Sequence, residues 1–264
     1  MIHALRTAWR LLRAVVHGLH GLAIVLARFP AFDAAQRQAH VKWWATKMLR
    51  MMGIALQVEG APHAGGTLLV ANHISWLDIM AVHAVCPQAR FVSKADVRSW
   101  PLLSKLVDSA GTLYLERERK RDALRVVHAM AQALAAGEMV AVFPEGTTSD
   151  GRALLPFHAN LLQAAISTGT PIQPVALRFS DAHGPFSAAV EFVGDTTLLQ
   201  SLWRVAGGDG VVAQIRLLPP LPSAGADRRM LAASLRGRIG AALDQASAGP
   251  PWATKGPTSW PSAD

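Results

Sequence analysis

The chain has 264 residues, 51% of them hydrophobic and only 17% charged, with mean hydropathy +0.23 and one cysteine, Cys86. That composition excludes a disordered chain, a disulfide scaffold and a Cys-based zinc site. The net charge of +8 is uneven: residues 1–60 hold eight basic and two acidic side chains, +6 of the total, and the rest is nearly neutral.

Residues 4–27 contain no proline and predict one helix ending before Pro30. The uncharged run Ala14–Ala27 covers 14 residues and includes His17 and His20. A clean span needs about 20 apolar residues, and the histidines also break the core of a secretory signal. Arg6, Arg10, Arg13, His17 and His20 are spaced by 4, 3, 4 and 3, so they form one stripe on a helix. A basic stripe opposite a broad apolar face suits a helix lying in the bilayer interface. A second helix over Ala34–Met52 carries Arg37, Lys42, Lys47 and Arg50 around Trp43 and Trp44, a headgroup-level composition. The alternative is a helix pair packed on the core with a solvated basic face. Nucleic acid fits less well, because the bases alternate with long aliphatic runs and no nucleic-acid motif is present.

From Ile54 onward short β-rich runs alternate with helical stretches. Strands are expected at Ala55–Glu59, Thr67–Ala71, Arg90–Ser93, Thr112–Leu115, Met139–Phe143, Ile172–Arg178, Ala188–Val193 and Val211–Leu217. Helices are expected at Ser75–Val85, Pro101–Asp108, Lys120–Ala136, His158–Thr168 and Asp227–Ala246. This order predicts an α/β fold with a mixed, largely parallel sheet covered by helices, preceded by the two-helix membrane-associating motif. The organisation expected is a basic anchor over 1–53, an α/β domain over 54–248 and a flexible Pro/Gly/Ser-rich tail over 249–264. Cys86, at a helix end before Pro87, reads as a small core residue.

In such sheets, chemistry gathers beyond the carboxyl ends of strands. The strand Thr67–Ala71 runs into Asn72-His73-Ile74-Ser75-Trp76-Leu77-Asp78. Asp78 can fold back on the imidazole, fixing its tautomer and stabilising its cation. The same Ser75-x-x-Asp78 spacing also fits a helix N-terminal cap with a first-turn acid. The strand Val140–Phe143 runs into Pro144-Glu145-Gly146-Thr147-Thr148-Ser149-Asp150-Gly151, an acid and hydroxyls at a second strand end. No P-loop, G-x-G-x-x-G, G-x-S-x-G elbow or HExxH is present.

Together these blocks resemble the glycerolipid acyltransferase family. Asn72-His73 through Asp78 matches its N-H-x-x-x-x-D block, and Phe143 through Ser149 its F-P-E-G-T-R-S block. Between them, Lys94 after a strand, Trp100-Pro101 and Gly111-Thr112-Leu113-Tyr114-Leu115-Glu116-Arg117 resemble the second block, and Pro171–Ala176 resembles the fourth. The resemblance covers roughly residues 65–180. It implies that His73 is a general base for an acceptor hydroxyl and that Asp78 orients it. The hydroxyl attacks the thioester of acyl-CoA or acyl carrier protein, with no metal, no resident cofactor and no acyl-enzyme. It implies further that Glu145, Gly146, Thr147 and Thr148 shape the acceptor site and that Lys94 and Arg117 attract an anionic head group.

One departure bears on the acceptor. Thr148 stands where the family usually has an arginine, the expected phosphate contact, and threonine offers no permanently charged fork. Arg152 or Arg117 could supply the missing charge, or the acceptor could lack a phosphate monoester. Glycine, two threonines and then Ser-Asp-Gly look like the branch that acylates lyso-ornithine lipids. On family prevalence, 1-acylglycerol-3-phosphate is the first expectation and lyso-ornithine lipid the second. The expected partners are membrane lipids and the thioester donor, with no nucleic acid, at the cytoplasmic face of the inner membrane. A hydrolase would need a nucleophile that the motifs do not supply. Intact His73, Asp78 and Glu145 argue against a non-catalytic adaptor.

Overall fold

The computed structural model describes residues 2–94, 101–115 and 120–247. Its sheet has seven strands: β1 (Ala55–Glu59), β2 (Thr67–Ala71), β3 (Arg90–Lys94), β4 (Leu113–Leu115), β5 (Met139–Val142), β6 (Ile172–Ser180) and β7 (Val212–Leu217), in the order β1-β7-β6-β2-β5-β3-β4. All neighbours are parallel except β6 and β7. Every residue of β2 and β5 is buried, as unbroken apolar runs require when a parallel strand is covered on both faces.

Period-two alternation sends successive side chains to two separate cores. Leu69, Ala71 and Ala141 face a core built with α2 (Ala34–Met51), α3 (Leu77–Val85) and α7 (Leu198–Gly207). The helix α1 (Ile2–Ala27) lies against that layer and adds Ala14 to its core. Leu68, Val70, Val140 and Val142 face the other core, built with α5 (Lys120–Ala135), α6 (Gln163–Thr168) and α8 (Arg228–Ser247). A short helix, α4 (Pro101–Ser109), precedes β4.

Two expectations are corrected. Residues 188–193 form no strand. Both edges of the preceding β6 are already taken, by β2 and β7. The segment's carbonyls turn to side chains instead: Phe192 O accepts from Thr148 Oγ1 and Glu191 O from Arg204 Nη2. The helix α7 has no counterpart among the predicted elements. Its start is written in a capping box, in which the Thr197 side chain accepts from Gln200 N and the Gln200 side chain from Thr197 N.

The helix α1 is amphipathic with its polar side inward, which corrects the picture of a basic stripe offered to lipid head groups. Arg10 Nη1 donates to Ala206 O at 3.0 Å and Gly208 O at 2.7 Å, capping the carbonyl end of α7. Arg6 pairs with Asp209 at 3.0 Å, and the buried His17 ring is hydrogen-bonded to Trp44 O. At Gly21 an added Cβ would lie 2.2 Å from Trp44 Nε1, so only glycine lets α2 come this close. Of the stripe, Arg13 and His20 stay exposed. The outer side carries Ile2, Leu5, Trp9, Leu12, Val16, Leu19 and Leu26, all exposed.

Candidate active site

The register of the sheet assembles the site. Val70 of β2 lies beside Val142 of β5, so both strands release their chains at the same end, one into His73 and the other into Phe143 and Glu145. Asn72 closes the ladder beyond β2: its amide donates to Leu177 O at 2.9 Å and accepts from Leu177 N at 2.8 Å. A side chain that mimics a peptide fixes the residue just before the histidine.

Asp78 is fully buried one residue into α3. Its Oδ2 accepts from His73 Nδ1 at 2.8 Å, Ile74 N at 2.6 Å and Ser75 N at 2.9 Å. Asp78 is thus both the first-turn acid of α3 and the partner of the imidazole, but the expected Ser75 cap does not form: the residue before the helix is Trp76, with no side-chain capping bond. The same oxygen that gathers the backbone donors of the turn orients the ring. A carboxylate facing Nδ1 keeps the proton there and leaves Nε2 as the basic atom. The His73 side chain is 18% exposed. Its ring stacks on Phe143 at 4.0 Å between centroids and 7° between planes, and Phe143 stacks in turn on Phe91. Hydrogen bond and stack together fix both the direction and the plane of the imidazole.

Glu145 is buried, with both oxygens engaged by backbone: Oε1 accepts from His73 N at 2.8 Å and Oε2 from Leu155 N at 3.0 Å. Burial pushes its carboxyl above the usual carboxylate range, opposed by those two donors. It holds the backbone of His73. Ser149 adds a second tie to that backbone, its N–H donating to His73 O at 2.9 Å. Gly146 turns the chain at φ 71°, and Thr147 is exposed at the tip of this turn. Gly151, at φ 75°, packs so near Ile74 that a Cβ would lie 2.8 Å from its Cδ1.

The hydroxyl of Thr148 is spent on Phe192 O and holds the 187–193 segment over the loop. Arg152 lies 3.6 Å from Asp150 and 3.4 Å from Glu191, with its guanidinium over the Phe186 ring. Lys94 ends β3, two strands from His73 in the sheet, and its side chain is outside the described residues. Arg117 is also outside them. Among the described residues no three His, Cys, Asp or Glu side chains could jointly hold a metal ion.

Sequence reasoning placed His73, Asp78 and Glu145 at one end of the sheet but gave Phe143 and Asn72 no role. Both open a motif block directly after a buried strand, which is the signal that points to them.

Residues 55–178 match the model of the Acyltransferase family. Over 243 residues, 90% of this chain and 92% of the relative, the chain is 37% identical to the lyso-ornithine lipid O-acyltransferase of Pseudomonas aeruginosa. It is 41% identical to the 1-acyl-sn-glycerol-3-phosphate acyltransferase of Neisseria meningitidis over 160 residues, 60% of this chain and 62% of that one. The fold matches the crystal structure of the 1-acyl-sn-glycerophosphate acyltransferase of Thermotoga maritima with TM-score 0.70 at 18% identity, covering 94% of this chain and 98% of that one. With a named relative aligned over nine-tenths of both sequences, the chain belongs to the acyltransferase family and is an O-acyltransferase.

Proposed function

We propose that this enzyme moves a fatty acyl group from acyl-CoA or acyl carrier protein to the free hydroxyl of lyso-ornithine lipid. The observation that carries the acceptor is Thr148. In place of the arginine expected to grip a phosphate, the chain has a hydroxyl already bonded to Phe192 O. Arg152, the nearest substitute in sequence, is flanked by two carboxylates. The relative aligned along nearly its whole length, from Pseudomonas aeruginosa, carries the lyso-ornithine name. A second reading, 1-acylglycerol-3-phosphate as acceptor, draws on the Neisseria relative, which is more similar over a shorter stretch.

In this reading His73 Nε2 takes the proton of the acceptor hydroxyl as its oxygen attacks the thioester carbonyl. The C–S bond breaks and the imidazolium returns the proton to the departing thiolate. Asp78 stabilises the imidazolium across its 2.8 Å hydrogen bond. General-base assistance of this kind typically contributes about 10² to 10⁴ in rate. No metal, resident cofactor or acyl-enzyme enters the cycle.

The membrane is the source of the acceptor. Among the described residues α1 is one helix long and apolar enough to cross a membrane by length and composition. Its inner row is polar and bonded to α2 and α7, which favours a helix lying in the interface with the outer apolar row in lipid. The cytoplasmic face is where thioester donors are found.

The test is a thiol-release assay with purified protein, comparing lyso-ornithine lipid and lysophosphatidate in parallel vesicles. Acceptor-dependent release that favours lyso-ornithine lipid is expected. Preference for lysophosphatidate would reverse the order of the two readings, and release without any acceptor would point to hydrolysis.

A further inference from the structure

We propose that α7 is a second membrane-contacting element, and that its Leu199 and Trp203 enter the lipid headgroup layer beside the catalytic loop. The proposal rests on the membrane-bound reading above and extends it to a surface that the N-terminal helices do not contain.

The residues Leu199 and Trp203 stand one helical turn apart and are 75% and 51% exposed. The inward side of the same helix, Ser201, Val205 and Ala206, is fully buried. The exposed pair is therefore not surplus core. An aliphatic and an indole side by side suit the headgroup boundary, where tryptophan keeps an apolar body in lipid and its N–H in water.

Continuity selects a bilayer as the occupant. The carbonyl end of α7 is stitched to α1 by Arg10 and by the ring of His3, hydrogen-bonded to Gly207 O at 3.0 Å. Both helices lie on the same side of the sheet, and each leaves an outward set of apolar residues uncovered. A membrane meeting the outer row of α1 would meet a helix fixed to it. At its other side α7 holds the catalytic loop: Trp76 Nε1, three residues past His73, donates to the fully buried Ser201 Oγ at 3.1 Å. Docking α7 on lipid would thus act on the same loop that carries His73.

The lone cysteine makes the test clean. Cys86 is 1% exposed and burial pushes its thiol up to about 12, so an introduced surface cysteine is the reactive one. The full chain is prepared as Leu199→Cys, Leu5→Cys and Leu124→Cys, each labelled with a polarity-sensitive fluorophore. Leu5 reports α1, and Leu124, 70% exposed on α5 behind the sheet, reports the far side. Each is titrated with vesicles of phosphatidylethanolamine and phosphatidylglycerol. The expected result is a blue shift at positions 5 and 199 and none at 124. A shift at 5 without one at 199 overturns the role of α7 and leaves the membrane reading standing. Silence at all three sites removes the membrane reading itself. A shift at 199 that appears on concentrating the protein without vesicles identifies a second copy of this chain as the occupant, and also overturns the proposal.

Discussion

The ring of His73 lies flat against Phe143, 4.0 Å between centroids and 7° from parallel. The Asp78 hydrogen bond fixes one atom of the imidazole, and the stack removes the swivel that one bond leaves. Replacing Phe143 with leucine keeps apolar bulk but loses the flat face. An aromatic pair of this kind is worth about 0.5–1.5 kcal/mol, so Phe143→Leu should lower kcat about 3- to 10-fold with KM nearly unchanged. Phe143→Tyr should retain most of the rate. Steady-state thiol release checks both, and full kcat in Phe143→Leu would remove the positioning role.

The three donors on Asp78 Oδ2 make Asp78→Asn an informative change. An amide oxygen can accept, yet it lacks the charge that steadies an imidazolium, and its NH2 favours the wrong tautomer. By analogy with triad carboxylates, kcat should fall about 10³- to 10⁴-fold. His73→Ala should cost at least about 10². Circular dichroism with each variant separates lost chemistry from lost fold.

Glu145 predicts a pH-dependent difference in stability. Burial holds its folded-state carboxyl above the usual carboxylate range. The folded state then holds the proton more tightly than the unfolded one. The corresponding stability is fully present below the unfolded value and is lost as pH rises through the folded one. The melting temperature of the native protein minus that of Glu145→Gln should therefore rise as pH falls from neutral toward 4. Thermal melts across that window decide it, and a flat difference would contradict the burial argument. Glu145→Gln should also lose activity at neutral pH, because its NH2 must face the N–H of His73 or Leu155.

The acceptor reading can be tested by restoring what the family usually has. Thr148→Arg releases Phe192 O and offers a charged fork. The ratio of kcat/KM for lysophosphatidate over lyso-ornithine lipid should rise about tenfold or more, the scale of one charge-assisted hydrogen bond. An unchanged ratio would separate position 148 from head-group choice.

The inward stripe of α1 gives a contrast between two arginines. Arg10→Ala leaves two carbonyls at the end of α7 without their donor and should destabilise the fold by about 1.5–3 kcal/mol. Arg13→Ala, on an exposed side chain, should stay within about 0.5 kcal/mol. Denaturant unfolding distinguishes them, and equal effects would argue against the inward orientation.

The sequence is most legible where local pattern and tertiary demand coincide. The buried runs of β2 and β5, each ending in a polar motif, carry both the strand and its chemistry in consecutive residues. Local pattern alone thus places His73, Asp78 and Glu145 at one end of the sheet. Reading failed where the partner is distant. The arginines of α1 look lipid-facing until the carbonyls at 206–208 are known to receive them. Residues 188–193 look like a strand because nothing local says that both edges of β6 are filled. The helix α7 was missed although Thr197 and Gln200 announce it, because an amphipathic segment of ten residues between loops is short for periodicity to reveal. Stacking of Phe143 on His73 depends on the β2–β5 register, which no single segment contains.

The bonds from Arg10 to Ala206 and Gly208 join residues 196 and 198 positions apart. During synthesis at about 5–20 residues per second, α1 must wait about 10–40 s for the carbonyls that neutralise its inner row. Its outer row is apolar from the moment it emerges. The bond of His17 to Trp44 O on α2 forms only 27 residues on, so the outer row and the arginine end of α1 are what stay uncovered until α7 is made. Order of emergence, as much as final packing, then separates the outer apolar row of α1 from the inner arginine that waits for α7.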